Sequence, residues 1–546
     1  MNYRKLLQIL LPSLVIAVLA GVDYSASLPS NPLTPQEKRG KQIYLKGKSS
    51  SAQEIVALLG KDNTEVPGPV LACAGCHGRD GRGKPEGGIT PSDITWPSLT
   101  KPYGIAHAGG RRHPPYTERF LKRAITLGID PAGNRLHTAM PRYRMSLEDI
   151  ADLVAYLKRL GNDPDPGLTE TVIRVGTILP PRERFAEMGQ AIKSTLVAYF
   201  DEINRTGGVY NRRIELSFVE ASGSPEERIN RVRAFLDERE MFALTSGFIA
   251  GVDREFAALI EEREIPLIGA FTLYTQISFP LNRHVFYLYA GLAEQGRALA
   301  VFAAKKTARR NSTAAIIYPD DDASRQVAEA IKQECQKSLW TGVEEIVLAE
   351  KQSDREDSFP QKEKSFSQAV LLARNLSQKG VEAVFFLGPA GAEGAFLQEA
   401  QRLDWKPFVF IPGSLAGRAI FLAPMSFEGR IFLSFPTLPS DQTPDGLAQY
   451  RSLAEAHKLH PKSLATQFTA LSSAKLMVEG LRRAGREVSR EKLIEALEGF
   501  YGFSTGLTPA VTYNPNRRVG AIGSHIVAVD LKAKSLASTS EWVEPE

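Results

Sequence analysis

Cysteine is nearly absent, with three in 546 residues. A chain so poor in thiols has no disulfide framework to rest on. Its stability must come from buried apolar surface, and 43% hydrophobic residues against 24% charged ones supply enough for real cores. Histidine is scarce too, eight in all, and none falls in an H-E-x-x-H pair. There is no G-x-S-x-G turn and no phosphate-cradling loop after a strand, because the glycine-rich GRDGRGKPEGG follows a different motif. No long basic run occurs, and a formal net charge of +5 is small for this length. Nucleic acid is therefore not expected as a partner. The length itself predicts roughly three or four domains at about 150 residues each.

One long uncharged run is present, Leu6 to Ala20, directly behind Arg4 and Lys5. That is the layout of a secretory signal peptide over residues 1–20. The small residues Val18 and Ala20 suit cleavage before Gly21, and Ser25 with Ser27 offers a second position. No cysteine follows, which excludes a lipoprotein anchor. An uncleaved membrane anchor is the alternative, although the run is shorter than the roughly 20 residues of a span. Either way the remainder is expected in the periplasm.

Two of the three cysteines stand three positions apart with a histidine directly after the second, in CAGCHG. This is the spacing of c-type haem attachment. Two thiols so placed can add to the two vinyl groups of one porphyrin, and the next residue then faces the iron. Cys73 and Cys76 are the expected thioether positions and His77 the proximal ligand, for one covalent haem c. A zinc half-site would need two more ligands from Cys335 and scattered histidines. A redox dithiol would need a βαβ context that is missing. No second C-x-x-C-H occurs, which removes a di-haem peroxidase. For the sixth position Met140, beside Pro141, is the first candidate, because methionine raises the potential of an electron-transfer cytochrome. Met145, His137 or no protein ligand are the alternatives. Ser146 reads as a helix cap with Asp149 at the capping-box position, and Met145 with Ile150 as a hydrophobic staple.

Residues from about Leu33 to Gly161 resemble a class I cytochrome c domain. TPQEKRGKQIYLKG stands for its first helix, CAGCHGRDGRG for the attachment site, AMPRY for the axial ligand and LVAYLKRL for the closing helix. The resemblance implies a small all-α domain, set at 31–162. It departs from the compact pattern in an insertion, KSSSAQEIVALLGKDNTEVPGPVL, ahead of the haem motif. From Asn31 to Asn162 there are 20 Lys plus Arg against 12 Asp plus Glu, an excess that could steer an acidic redox partner. Much of it lies in KPYGIAHAGGRRHPPYTERFLKR.

GNDPDPGL ends the closing helix and predicts a linker, placed at 163–170. Beyond it the pattern alternates. VIRVGTILP, RIELSFVEAS, MFALTSGF, TAAIIYPD and VEAVFFLGP read as strands, with amphipathic helices between them. Apolar strands alternating with helices predict parallel sheets covered on both faces, and about 375 residues of this predict two α/β lobes. The region 171–546 resembles the type I periplasmic binding proteins, the leucine/isoleucine/valine-binding group of ABC-transporter receptors. IRVGTILP, FDEINRTGGVYNRRIELSFVEA, EREIPLIGAF, HVFYLYAGLAEQGRALAVFA and SLATQFTALSSAKLMVEGLRRAG carry the likeness in family order.

The resemblance implies a multi-domain protein whose two-lobed α/β part holds a small-molecule ligand in the cleft between lobes. At strand ends and the loops after them, Ser246, Phe248, Thr272, Tyr274, Tyr289, Asp320 and Pro389 are the candidates to line it. Tyr274 and Tyr289 are equally consistent with packing, and the alternation of Tyr287, Leu288 and Tyr289 predicts that one tyrosine enters the core. Ala250 and Gly251 stand where the family usually presents Ser or Thr to a ligand carboxylate, which argues against a standard amino-acid headgroup, and a cleft rich in aromatic groups would favour an aromatic, alcohol-like or otherwise weakly charged ligand. Cys335 repeats with Val327, Ile331 and Leu339 at helical spacing and is expected in the core. The chain therefore reads as an electron-transfer cytochrome with a solute-binding domain, serving an ABC-transporter permease or a periplasmic redox system, and not as an enzyme. Two alternatives stand beside this: a degenerate docking module for a redox partner, and a haem that senses or catalyses.

Overall fold

The computed structural model describes residues 33–545 except 52, 84–87, 108, 162–163, 278–280, 308–311, 339, 341 and 349–358. The expected signal peptide, residues 1–20, lies outside the described residues, as do the first residue of the expected linker and Leu339 of the Cys335 helix repeat. The chain divides into two units, Met1–Pro164 and Asp165–Glu546.

In the first unit the helices Pro35–Lys46 and Leu147–Leu157 pack side by side. Each starts where its sequence dictates. Thr34 and Glu37 close a capping box around Pro35, and the Ser146 hydroxyl accepts from Asp149 N at 3.0 Å. Met145 and Ile150, on either side of that cap, share one apolar cluster. Gly40 marks the helix crossing, since a Cβ there would fall 2.0 Å from the Asp152 carbonyl oxygen. Beside it the Arg39 guanidinium holds Asp152 through two bonds of 2.6 and 3.0 Å. A third helix, Glu118–Leu127, is capped by Thr117 and stopped by Gly128 at φ 67°. Ile43, Tyr44, Leu121, Leu153, Val154 and Leu157 form the core between them.

The helical unit also carries a sheet that the helical reading did not foresee. The insertion folds into a hairpin, Val56–Leu59 with Thr64–Pro67. Its first strand pairs antiparallel with Arg142–Arg144, just behind the Met140–Pro141 segment. The insertion thus braces the segment that follows Met140 and Pro141.

The second unit holds two sheets. The first runs, in spatial order, Val519–Ala521, Val285–Tyr289, Leu267–Ile268, Ala243–Thr245, Val172–Leu179 and Arg213–Glu220, all parallel. The second runs Gly342–Leu348, Thr313–Pro319, Ala383–Phe386, Phe408–Pro412, Ile431–Phe435, Ser524–Asp530 and Ser535–Val543. Its first five strands are parallel, and the last two complete one edge antiparallel. The strands read as continuous apolar runs because helices cover both faces. In the second sheet Phe385, Phe410 and Phe432 stack across neighbouring strands at 5.3 and 5.7 Å, each burial contributing about 2–3 kcal/mol. The chain passes between lobes three times, after Tyr289, after Phe435 and after Ala521. Three crossings make a hinge, and the loops at the C-terminal ends of the parallel strands border the cleft.

Candidate functional site

The haem-attachment motif is one short helix, Cys73–His77, ended by Gly78 at φ 74°. Two tyrosines pin its flanks. Tyr143 donates to the Leu71 carbonyl and Tyr44 to the Gly78 carbonyl, both at 2.6 Å. His77 is buried, and its Nδ1 stands 3.0 Å from the Ser92 carbonyl oxygen. A carbonyl can only accept, so Nδ1 carries the proton and Nε2 keeps its lone pair. Burial pushes the His77 pKa down, which keeps the ring neutral as a metal ligand must be. Cys73 and Met140 are half-buried and pack on the same apolar cluster, while Cys76 is exposed. Burial raises the Cys73 thiol to about 11.

This donor set fits a c-type haem: paired thiols, an oriented neutral imidazole next to them, and a thioether that shares an apolar cluster with the first thiol. His137 is exposed, with Nδ1 accepting from Ala139 N at 3.2 Å. Met145 is half-buried beside the helix cap. Among the described residues no three of His, Cys, Asp and Glu converge, so a zinc half-site finds no further ligands there.

In the second unit the loops after Ala243–Thr245 and Leu267–Ile268 run side by side through a Phe248–Phe271 bridge. Phe248 is buried against Phe185, with ring centroids 5.4 Å apart. Phe185 reaches it because the backbone breaks helical geometry there, at φ −132° and ψ 36°. The Thr272 hydroxyl donates to Asp253 and accepts from Tyr274 N at 2.8 Å. Tyr274 packs on the apolar cluster of the second lobe, close to Asp321, and burial lifts its hydroxyl to about 12. Asp320 lies just before that contact, exposed and paired with Arg325 at 2.6 Å. Phe248, Thr272, Tyr274 and Asp320 are thus gathered along facing edges of the two lobes.

Three other candidates go elsewhere. Ser246 is fully buried at φ 52°, and its hydroxyl donates into the packing, to Ala470 O at 3.4 Å. That corrects the expectation of Ser246 as a cleft residue, because its side chain faces the helix Leu464–Ala484. Tyr289 is half-buried, with its hydroxyl 3.1 Å from that of Thr469 on the same helix. Tyr287 is the tyrosine that enters the core. Pro389 is exposed in the second lobe, where its carbonyl accepts from Ala392 N.

The sequence reading missed the charged pair beneath the cleft. Arg228 is buried and donates to Ala250 O at 2.9 Å, and Asp253 is buried and accepts from Gly251 N at 2.9 Å. Burial lowers the arginine's pKa and raises the aspartate's. The loop at Ala250–Gly251 therefore spends its polar groups inward. Both residues lie in ordinary amphipathic helices, and no local signal singles them out. Cys335 is buried in the second lobe's core, its thiol pushed up to about 12.

A haem-holding helical unit ahead of a hinged pair of parallel-sheet lobes defines the class, a cytochrome joined to a cleft-type solute-binding fold. The chain belongs to the periplasmic binding protein family, whose sequence profile matches residues 172–530. Ahead of it stands a cytochrome c domain, matched over residues 38–161. The fold is similar to that of a fatty acid ABC transporter substrate-binding protein from Thermomonospora curvata, at 15% identity and TM-score 0.50, covering 70% of this chain and 94% of that one. It is similar to a branched chain amino acid ABC transporter protein from Thermus thermophilus with bound valine, at 17% identity and TM-score 0.50, covering 68% and 95%. A substrate-binding protein from Aeropyrum pernix is similar at 15% identity and TM-score 0.53, covering 69% and 96%. At such identities the likeness is one of fold, and the ligands those names carry already differ. No curated protein matches the chain.

Proposed function

We propose that this protein is an exported electron carrier, a one-haem c-type cytochrome followed by a periplasmic domain that captures a small molecule for an ABC-transporter permease or a periplasmic redox system. The observation that carries the reading is the buried His77, turned by the Ser92 carbonyl so that Nε2 is its free lone pair. Cys73 and Cys76 would hold the haem, and His77 with Met140 would ligate its iron. When bound, haem supplies a one-electron couple. Tyr44 and Tyr143 hold the backbone around the motif, and the half-buried Met140 packs on the apolar cluster beside it. Two protein ligands leave no position for substrate, which favours electron transfer over catalysis.

The basic excess of this domain favours an acidic redox partner. In the binding domain, the aromatic pair Phe185–Phe248 with Thr272 and Tyr274 favours a weakly charged or aromatic ligand, since the nearby Arg228 and Asp253 are engaged with backbone. The test is carbon monoxide titration of the purified, reduced holoprotein. Slow and weak binding is expected of an iron with two protein ligands. Rapid stoichiometric binding would contradict the carrier reading and bring haem-centred sensing forward.

A further inference from the structure

We infer that the first lobe carries a second small-molecule site, apart from the inter-lobe cleft, that takes a small aromatic carboxylate. A concave pocket of ≈ 360 Å³ is lined by Tyr199, Thr443, Asp445, Lys475, Arg482 and Phe503, among others. The volume falls in the range of small-ligand pockets, about 300–1,000 Å³. It lies between the helices Arg182–Arg205 and Leu464–Ala484, closed by the loop at Ser504–Gly506 and the start of the helix Pro444–Ala456. Tyr199 is roughly 20 Å along its helix from Phe185, at 1.5 Å per residue. On the other helix Thr469, Ala470 and Ser473 meet Tyr289, Ser246 and Gly269 at the strand ends, and Lys475 to Arg482 follow them toward the far end.

The wall is rigid. Thr443 N donates to Gly506 O at 3.0 Å, and a Cβ on Gly446 would fall 2.0 Å from that same oxygen. Lys475 is half-buried and donates from Nζ to Gln449 Oε1 and Thr505 O, both at 2.9 Å. An ammonium has three N–H groups, so one remains for a ligand. Among the described residues Lys475 and Arg482 form no ion pair, whereas the Glu479 carboxylate is taken by Arg483 at 2.9 Å. Burial lowers the Lys475 pKa, as a cation lacking its anion requires. Tyr199 and Phe503 supply half-buried aromatic walls, and Phe503 is held by stacking on Phe500 at 4.8 Å. Asp445 also lines the pocket, exposed in the first turn of its helix; the two cations beside two rings match a carboxylate head on an aromatic body.

The pocket also touches the hinge. Thr443 ends the crossing segment whose Asp441 is bound to His525 of the second lobe at 2.8 Å.

Calorimetric titration of the full-length holoprotein with benzoate and 3-phenylpropionate, and with benzamide as the uncharged match, tests the site. Either acid should bind, with benzamide at least about tenfold weaker. Arg482→Gln, an exposed change, and Lys475→Met should each weaken the acid about tenfold or more, and Lys475→Arg should restore most of the loss. Circular dichroism checks that each variant is folded, and Arg482→Gln decides the matter should Lys475→Met not fold. Absence of binding by both acids overturns the proposal. So does equal binding of benzamide, or acid binding untouched by Arg482→Gln, which would put the acids in another site.

Discussion

The Nδ1 of His77 and the carbonyl oxygen of Ser92 stand 3.0 Å apart, fifteen residues from each other in sequence. This contact decides which imidazole nitrogen is offered to a metal. It exists because the chain after the attachment helix turns back on itself, with Gly83 N donating to the His77 carbonyl at 2.8 Å and Gly83 held at φ 85°.

Gly83→Ala should disturb that return. An L side chain is strained at this φ, and its Cβ would meet the Pro91 carbonyl oxygen at 2.2 Å. The Pro91–Ser92 segment would have to move, at a cost of about 1–3 kcal/mol. The expected outcome is a lower haem-to-protein ratio after expression with haem maturation and a lower melting temperature for the cytochrome unit. A ratio and melting temperature equal to the parent's would show that the Ser92 contact does not depend on this turn.

Glu399 pins two helices of the second lobe, accepting from Arg402 Nε at 2.9 Å and Arg374 Nε at 2.7 Å. Arg402 and then Arg374 hold its carboxyl down from 4.5 to about 2. The folded-state pKa is depressed, so the stabilisation is present above the unfolded value and is lost as pH falls from about 4.5 to about 2. Glu399→Gln should therefore lower stability at neutral pH and flatten the acid limb in that window. Urea midpoints measured between neutrality and acid check it, with the variant and parent converging at the acid end.

The Tyr274 ring, carried by a first-lobe loop, packs against the apolar cluster of the second lobe. Tyr274→Ala removes that packing, worth about 1–3 kcal/mol. Hydrogen exchange at the start of the helix Asp322–Lys337 should quicken severalfold in the ligand-free protein, while the strand Thr313–Pro319 keeps its protection. Unchanged exchange at Ser324 and its neighbours would mean that the ring does not hold the lobes together.

Much of this architecture was legible locally. The CAGCH spacing, the Ser146 cap and the apolar strands alternating with helices are features of short range, set by covalent geometry and periodicity. What was not legible depends on residues far apart in the chain. The insertion becomes a hairpin because Val56–Leu58 finds Arg142–Arg144 to pair with. Ser246 turns inward because a helix more than 200 residues later packs over it, with Ala470 O accepting its hydroxyl. Arg228 and Asp253 are buried by the loop they hold. Alternation along Val285–Leu288 separates the two faces correctly, with Val285 and Tyr287 in one cluster and Phe286 and Leu288 in the other. It breaks at Tyr289, where the strand ends and the ring packs beside Phe286 and Leu288.

An iron held by both His77 and Met140 has a spectroscopic signature. It is the weak near-infrared sulfur-to-iron band of the oxidised holoprotein, to be recorded for the parent and for Met140→Ala. The band is expected in the parent and lost in Met140→Ala, with covalent haem retained in both. A parent without the band, or a variant that keeps it, would contradict Met140 as the ligand.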